Sequence, residues 1–264
     1  MAMPLGENRA KLKLSRNELV LCMAVNQMRT PNIAMIAEAC GFDALFVDME
    51  HNPTNLETAA GICVAALGVG ITPIVRMNTH AGHEICRVLD AGAQGIMVPH
   101  VDTADQARMV VQACLFPPAG HRSVGGPLPV LRYRSLPQSE INPKVNRETL
   151  LIAMIETPGA VANAAAIAAV EGIDVIHIGA SDLSAEMGLA GQTKHPRMRA
   201  AYETVRQAAS AHGKAWGVGG VRNDPAFQAE LLKLGVRYLT CGSDLGYVLK
   251  GGSEDVAAIR AMPL

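Results

Sequence analysis

Residues 44–77 read ALFVDMEHNPTNLETAAGICVAALGVGITPIVRM, and this stretch contains the pattern that decides the fold. It begins with a short apolar run at 44–49, continues through a helix-like segment at 54–67, and ends in a second apolar run at 72–77. The runs are continuously apolar rather than alternating, which is typical of parallel strands covered by helices on both faces. Residues 44–77 are therefore predicted to form one strand–helix–strand unit.

The same alternation recurs along nearly the whole chain of 264 residues. The short apolar runs are candidate strands, and they lie at 18–25, 44–49, 72–77, 95–100, 150–156, 175–180, 215–220 and 237–242. The helix-like stretches lie at 31–40, 54–67, 81–91, 103–114, 158–170, 196–212, 224–234 and 244–262. Eight such units predict an α/β protein of the closed (β/α)8 TIM barrel type, which typically needs about 250 residues. An open, doubly wound sheet is the alternative.

One segment breaks this rhythm. Residues 115–149 contain FPPAGHRSVGG and then a proline- and charge-rich stretch, which predicts a loop insertion between the fourth and fifth units. Long loops in compact domains are usually functional or mobile, so we expect this one to lie over the mouth of the barrel. Because linker-like composition does not occur elsewhere, residues 1–264 are predicted to form a single barrel domain.

The composition argues against several classes of protein. A net charge of −1 and an aromatic content of 3% fit neither the basic surface nor the stacking platform of a nucleic-acid-binding protein. The six cysteines form no CxxC pair, which argues against a thiolate zinc site and for reduced thiols. The sequence has neither a signal peptide nor an apolar run of about 20 residues, so we expect a cytoplasmic protein that does not engage a membrane.

Polar side chains are concentrated just after the predicted strands, where TIM barrels carry their active sites. Glu156 and Asp182 end neighbouring strands, so their carboxylates can converge. Two buried carboxylates repel each other, and a Mg²⁺ or Mn²⁺ ion between them removes that cost and leaves positions for substrate oxygens. The alternatives are a helix cap, for which Asp182 in GASDLS is well placed, or a salt bridge.

Two further motifs supply candidate catalytic groups. Residues 48–51 read DMEH, and the His51 ring is within reach of donating a hydrogen bond to Asp48 across a turn, an arrangement that makes a general base. A structural loop histidine is the alternative. Arg76 ends an otherwise apolar strand and needs an anionic partner there. A substrate carboxylate or an enolate oxygen would serve, and so would a structural ion pair with Asp48 or Glu50.

The distribution of lysine narrows the chemistry. Schiff-base aldolases need a lysine on a barrel strand, and no lysine falls within a predicted strand, which favours metal-assisted enolisation. Two features stay open at this point. His177 lies inside a strand, and the sequence does not reveal which way it faces. The GVGG at 217–220 is explained equally by contact with a phosphate or by close packing.

Five motifs in a fixed order resemble the HpcH/HpaI aldolase family, the class II pyruvate aldolases related to the citrate lyase β chain. They are VDMEH, VRM followed by LDAGAQGIMVPHVDTADQA, FPPAGHRSVG, IET and IGASDLSAEMG. The resemblance runs from about residue 18 to 245. It implies a TIM barrel in a homo-oligomer, a hexamer built as a trimer of dimers, with the last helix packed on a neighbouring subunit.

The resemblance also implies how a substrate would be held. Glu156 and Asp182 match the ligands of a divalent metal ion, Mg²⁺ or Mn²⁺ with Co²⁺ as a third choice. Arg76 matches the arginine that binds the oxo group and steadies the enolate. Backbone amides at Ala180, Ser181 and Asp182 would hold the carboxylate of a 2-oxo acid.

The implied reaction is reversible cleavage of a 4-hydroxy-2-oxo acid to pyruvate and an aldehyde. His51, oriented by Asp48, matches the general acid–base of this reaction. Asp90 matches an acidic residue that such enzymes bring to the site from an adjacent subunit. The alternatives are a CoA-ester lyase of the citrate lyase β or malyl-CoA type, an oxaloacetate decarboxylase, and a barrel that only binds a metabolite.

The sequence departs from the family pattern at several positions. Ala180 and Ser181 stand where relatives commonly have proline and alanine, and Met154 stands where a glutamine is frequent. The first strand, LCMAVNQM, also differs. These changes leave the metal-binding and acid–base groups intact, so they affect the aldehyde side of the pocket.

Overall fold

The computed structural model describes residues 5–222 and 224–263, and in these ranges eight parallel strands close into a barrel in sequence order. The strands are β1 (Val20–Val25), β2 (Ala44–Asp48), β3 (Thr72–Arg76), β4 (Gly95–Val98), β5 (Leu150–Ile155), β6 (Val175–Gly179), β7 (Ala215–Gly219) and β8 (Tyr238–Ser243). Each strand pairs with the next, and β8 pairs with β1. The predicted TIM barrel fold is confirmed.

Helices surround the barrel and connect its strands. They are α1 (Arg9–Ser15), α2 (Ile33–Ala39), α3 (Leu56–Val69), α4 (Gly82–Asp90), α5 (Ala104–Cys114), α6 (Gln138–Glu148), α7 (Pro158–Ala162), α8 (Ala164–Ala168), α9 (Ala180–Glu186), α10 (Pro196–Ala211), α11 (Pro225–Leu234) and α12 (Asp244–Arg260). Several begin at a side-chain cap, such as the reciprocal bonds between Thr103 and Gln106 at the start of α5. The helix predicted at 158–170 is divided into α7 and α8 at Asn163.

The apolar residues of the strands face two separate cores. One core fills the barrel interior with side chains such as Val20, Phe46, Met97 and Ile152. The other lies between the sheet and the helices, and it accounts for the opposite face of each strand. This arrangement explains why the strands read as continuous apolar runs, since neither face meets water. None of the described helices has the length and hydrophobicity needed to cross a lipid bilayer.

The N-terminal end of the barrel is closed by α1, a helix that the sequence analysis did not predict. Asn8 caps it by accepting a hydrogen bond from the backbone N–H of Lys11. The Asn8 side chain also donates to the carbonyls of Gln94 and Glu148, at 3.0 and 2.9 Å. Thr72, at the start of β3, donates its hydroxyl proton to Asn8 Oδ1 at 2.9 Å. Short polar side chains therefore fix α1 beneath the strands.

Residues 115–149 lie at this same end, so the expected position over the mouth is wrong. Phe116, Leu131 and Val145 form an apolar cluster there, against Leu5 and Leu67. The segment also contains a short 3-10 helix, Pro129–Leu131, and the helix α6. Because α6 leads directly into the start of β5, it must lie where the strands begin rather than where they end.

The helix α6 forms despite Pro143, which lacks a backbone N–H and disfavours a helix interior. Tertiary contacts compensate for this loss. The Asn146 side chain accepts a hydrogen bond from the Phe116 N–H at 2.7 Å and donates to the Phe116 carbonyl at 2.9 Å. Glu148 accepts a bond from the Asn8 N–H at 2.9 Å. These contacts hold the segment against the barrel.

Candidate active site

The carboxyl ends of the strands surround a cavity of about 220 Å³. Six of the predicted site residues line it together, namely His51, Arg76, Glu156, Ala180, Ser181 and Asp182. A larger hollow of about 740 Å³ lies at the opposite end, beside Arg9, Thr72 and Gln94. TIM barrels work at the carboxyl ends of their strands, and the acidic groups and Arg76 lie there, so the smaller cavity is the candidate active site.

Asp48 and Arg76 face each other across the ends of β2 and β3, where they are paired in register. Arg76 Nε lies 2.9 Å from Asp48 Oδ1, and Nη2 lies 2.8 Å from Oδ2. Nη1 lies 3.1 Å from Glu50 Oε2. The structural ion pair considered as an alternative role for Arg76 is thus present. It also fixes the guanidinium on the cavity wall, where it stays available to a ligand.

The pair determines the charge state of both groups. Burial acts to raise the pKa of Asp48, but the hydrogen bond and charge of Arg76 outweigh it and lower that pKa below its ordinary value. Burial acts to lower the pKa of Arg76, but the bond to Asp48 and the nearby carboxylates raise it. Both groups are therefore ionised, and the cavity wall carries a fixed positive charge supported by acids behind it.

His51 does not have the environment that its spacing from Asp48 predicted. The Asp48 carboxylate accepts a hydrogen bond from the backbone N–H of His51 at 3.4 Å, not from its ring. The His51 ring is 58% exposed, and its Nε2 lies 3.5 Å from Glu50 Oε2. Asp48 instead accepts bonds from the side chains of Asn26 and Asn52, at 3.2 and 2.5 Å. The carboxylate beside the imidazole is thus Glu50, which the sequence analysis did not assign to His51.

Glu156 follows β5 directly and is 1% exposed. Its Oε2 accepts a hydrogen bond from the backbone N–H of His100 at 2.9 Å. A side chain at position 179 would overlap Glu156 Oε1, so only glycine there leaves room for the carboxylate. Burial raises the pKa of Glu156 to about 7, the His100 contacts oppose this rise, and the charges of Glu50 and Asp182 add to it.

The chain turns at the end of β6 and enters α9 at once, which brings Ser181 and Asp182 to the cavity. Asp182 lies within the first turn of α9 rather than at its cap, which is Gly179. Gly220 has a φ of +79°, and a Cβ on it would come within 2.9 Å of the Ser181 backbone nitrogen. Glycine at this position therefore keeps the space beside that backbone nitrogen open.

The acidic groups of the cavity fit a divalent cation. The charges of Glu50 and Asp182 add to the raised pKa of Glu156, and a cation beside Glu156 and Asp182 would oppose that rise. In the part of the chain that the structure describes, no group of three or more His, Cys, Asp or Glu side chains is arranged to hold a metal. A metal would thus have two protein ligands, with positions left for water and substrate oxygens, as Mg²⁺ commonly does.

Asp90 is the one predicted site residue that lies away from the cavity of its own chain. It ends α4, near the N-terminal end of the barrel, and its Oδ1 lies 2.7 Å from Arg122 Nη2. The guanidinium of Arg122 also packs over the Phe116 ring, 4.4 Å from its centre. A site formed by one chain alone would not include Asp90.

Three residues at the mouth were missed as contributors to the site. Glu50 links Arg76 to His51, and the His100 backbone holds Glu156. Glu50 follows a predicted strand and His100 ends one, and that position was the available signal. Asp244, the first residue of α12, accepts bonds from the backbone N–H groups of residues 26–28 at 2.8, 2.9 and 2.6 Å. No local pattern in the sequence signals that distant contact.

The fold and the site define a TIM-barrel enzyme whose pocket combines a fixed arginine with acidic groups suited to a metal ion. The family described as HpcH/HpaI aldolase/citrate lyase matches residues 23–250. The chain belongs to this family. Membership makes it a carbon–carbon lyase of the aldolase type and confirms the family resemblance seen in the sequence.

Individual relatives agree with this assignment. The chain is 38% identical to the 4-hydroxy-4-methyl-2-oxoglutarate aldolase tasA of Hapsidospora irregularis, over 98% of this chain and 97% of that one. It is 35% identical to a hydroxypyruvate/pyruvate aldolase of Cupriavidus necator, over 89% and 87% of the two chains. The crystal structure of an HpcH/HpaI aldolase from Desulfitobacterium hafniense is 30% identical, covers 96% and 97%, and superposes with a TM-score of 0.92.

Proposed function

We propose that the protein is a class II 2-oxo acid aldolase that reversibly cleaves a 4-hydroxy-2-oxo acid to pyruvate, or a similar 2-oxo acid, and an aldehyde. The observation that carries the proposal is the convergence of Arg76, Glu156 and Asp182 on one cavity at the mouth of the barrel. A cationic side chain and two carboxylates suited to a metal are what stabilisation of an enolate requires.

The 2-oxo acid end of the substrate is bound by groups that are already in place. Backbone N–H groups at Ser181 and Asp182 bind the carboxylate, Ala180 lines the same cavity, and Gly220 leaves this space open. Arg76 binds the oxo oxygen. Its two contacts with Asp48 hold the guanidinium still, so that little reorganisation is needed as negative charge develops on that oxygen.

Glu156 and Asp182 would hold the divalent ion, for which Mg²⁺ and Mn²⁺ are the first choices and Co²⁺ the third. When bound, such an ion supplies Lewis-acid stabilisation of the charge on the oxo oxygen. Class II aldolases generally depend on a divalent metal, and the raised pKa of Glu156 fits a carboxylate that a cation accompanies.

His51 acts as the general acid–base. In the cleavage direction, His51 takes the proton from the 4-hydroxyl group, and the bond between C3 and C4 breaks. The electron pair of that bond becomes part of the enolate, which Arg76 holds. Protonation of C3 then yields pyruvate, and the former C4 leaves as the aldehyde. The ring is at the mouth and exposed, as an aldehyde-side group must be, and Glu50 lies beside it, 3.5 Å from Nε2.

The decisive experiment combines chelation with proton exchange. Purified protein treated with EDTA should lose aldolase turnover and the exchange of pyruvate methyl protons, and Mg²⁺ or Mn²⁺ should restore both. Glu156→Ala should abolish restoration, and His51→Ala should reduce cleavage strongly. Full activity after chelation would contradict the metal-dependent reaction. A panel of aldehydes and CoA esters identifies the second substrate and separates the aldolase from a CoA-ester lyase.

We further propose that the chain assembles into a homo-oligomer, a hexamer built as a trimer of dimers. The last helix, α12, carries exposed apolar side chains, including Val248, Leu249 and Ile259 at 56, 59 and 65% exposure. A neighbouring subunit would cover them, and Asp90 would reach the site of another chain. Light scattering coupled to gel filtration tests the mass. Asp90→Asn should lower turnover without changing the binding of metal.

A further inference from the structure

The floor of the cavity contains a histidine that the proposed reaction does not use. His177 points inward from β6, is 2% exposed, and lines the same cavity as Glu156 and Arg76. Its Nδ1 has no hydrogen-bond partner among the described residues. Burial lowers the pKa of this ring to about 3, and the charge of Arg76 adds to the effect, so the imidazole is neutral.

The position of His177 depends on two glycines of the adjacent strand. A Cβ at Gly217 would lie 2.7 Å from His177 Nδ1, and a Cβ at Gly219 would lie 2.9 Å from Nε2. The ring therefore occupies the space that β7 leaves empty. It meets the edge of Tyr238 on β8, with ring centres 5.5 Å apart and planes at 83°. This explains the glycines at 217 and 219 as packing requirements of a histidine rather than as a phosphate site.

Thr240 supplies a second polar atom in the same place. It points inward from β8, is 3% exposed, and lines the cavity with His177. Its hydroxyl is also without a protein partner in the described ranges. A Cβ at Gly219 would lie 3.5 Å from Thr240 Cβ and 2.9 Å from His177 Nε2, so the two side chains flank the same glycine. Buried polar atoms without partners destabilise a protein, and ligand sites are where such atoms are retained.

The chemistry of this pair favours a hydroxyl group as the ligand. A neutral imidazole offers one donor and one acceptor, and a threonine hydroxyl offers both. Neither side chain of the pair carries a charge, so the pair offers a carboxylate no counter-ion. A methyl group would leave the Thr240 hydroxyl without a partner.

We propose that His177 and Thr240 form a subsite for a hydroxyl group on the third carbon of the 2-oxo acid donor, so that hydroxypyruvate binds in preference to pyruvate. This inference rests on the proposed function, which places the carboxylate at Ser181 and the oxo group at Arg76. The third carbon is then the remaining end of the donor. In a planar enolate its substituent lies in the plane and can face the floor, while the aldehyde approaches from above the plane.

Calorimetric titration with the two donors tests the proposal. In the presence of Mn²⁺, the wild-type protein should bind hydroxypyruvate about tenfold or more tightly than pyruvate. Thr240→Val keeps the shape and removes the hydroxyl, and it should reduce this ratio about tenfold. His177→Phe should do the same. Thr204→Val, on the outer surface of α10, is the matched control and should leave the ratio unchanged.

The outcomes separate this inference from the proposed function. If the wild-type protein exchanges pyruvate methyl protons but binds the two donors equally, or if both pocket variants keep the wild-type ratio, the subsite is overturned and the aldolase stands. If the wild-type protein binds neither donor in the presence of the metal, both proposals fall. A loss of thermal stability with an unchanged ratio would show that His177 is only structural.

Discussion

The two ends of the barrel place their acidic side chains in different surroundings. At the N-terminal end, Asp43 accepts bonds from the Leu21 N–H and from Lys13 Nζ, at 3.0 and 2.9 Å. Asp174 accepts bonds from the Leu151 N–H and from Lys11 Nζ, at 2.8 and 2.9 Å. Each of these acids has both a backbone donor and a cation, so this end is built to be stable.

At the mouth, some buried polar atoms have no hydrogen-bond partner among the described residues. Asn26 Oδ1, His177 Nδ1 and Thr240 Oγ1 are buried, and no described protein group bonds to them. Glu156 is buried with a raised pKa, and the nearby carboxylates reinforce that rise. Local rules of stability are commonly violated at functional sites, and the mouth combines such unpaired atoms with a buried carboxylate of raised pKa. For the acids, the difference identifies the mouth as the end where a cation would complete the structure.

Of the variants that test this contrast, Glu156→Gln should have the largest effect on turnover. The amide keeps the shape but removes the charge that a cation requires, so kcat should fall by on the order of 10²–10³-fold. The unfolding free energy should not fall, because a buried charge is replaced by a neutral group. Turnover at saturating Mn²⁺ measures the expected loss of kcat, and urea unfolding measures the free energy of unfolding. A stable variant with wild-type turnover would show that Glu156 is not part of the active site.

Gly179→Ala should damage the mouth through packing alone. The added methyl group overlaps Glu156 Oε1, so the carboxylate must move, and metal affinity should fall about 10–100-fold. Gly68→Ala is the matched control, because its Cβ would meet nothing within 4 Å on α3. It should raise the unfolding free energy by roughly 0.5–1 kcal/mol and leave metal binding unchanged. Equal metal affinity of the Gly179→Ala and Gly68→Ala variants would contradict the close contact between position 179 and Glu156.

Asp43→Ala should damage the opposite end and spare the chemistry. It leaves the Leu21 N–H and Lys13 without their acceptor, which should cost about 2 kcal/mol of unfolding free energy. The value of kcat/KM should stay within about twofold of wild type, because no mouth residue contacts Asp43. Glu203→Ala, which removes an exposed pair with Arg206 on α10, should change neither quantity. Lost turnover in a stably folded Asp43 variant would show that the two ends are coupled.

His177→Phe should flatten the dependence of stability on pH. The buried ring binds a proton only near pH 3, whereas a histidine in the unfolded chain does so near 6.5. The unfolded state therefore takes up the proton first, and the wild-type protein loses up to about 1.4 kcal/mol per pH unit as the pH falls below about 6.5. Urea unfolding at pH 7, 6 and 5 measures the slope. His212→Asn, at an exposed position, should keep the wild-type slope.

Much of the fold could be predicted from the sequence because barrel strands are buried on both faces. Continuous apolar runs such as 150–156 can be recognised as strands from their own sequence, without knowledge of the neighbouring strands. The helices α1 and α6 were missed because their stability is tertiary, in the contacts of Asn8 and Asn146. The location of residues 115–149 was wrong because loop length carries no information about which end of a barrel the loop covers.

The site was predictable in its membership but not in its pairing. Polar residues after strands identified Arg76, Glu156 and Asp182, because every parallel strand brings its carboxyl end to the same place. Spacing in the chain suggested that Asp48 contacts the His51 ring. The register of β2 and β3 instead places Asp48 opposite Arg76, with which it forms an ion pair. The inward direction of His177 likewise depends on the sheet, which single-strand patterns do not reveal.

The contact of Asp244 with residues 26–28 has a practical consequence for anyone editing the gene. Its carboxylate joins the start of the last helix to the loop whose Asn26 bonds Asp48. A stop codon before position 244 would therefore remove a piece of the mouth, although the deleted residues are distant from it in the chain. A fusion that keeps Asp244 and α12 preserves this contact, whereas one that replaces α12 loses it.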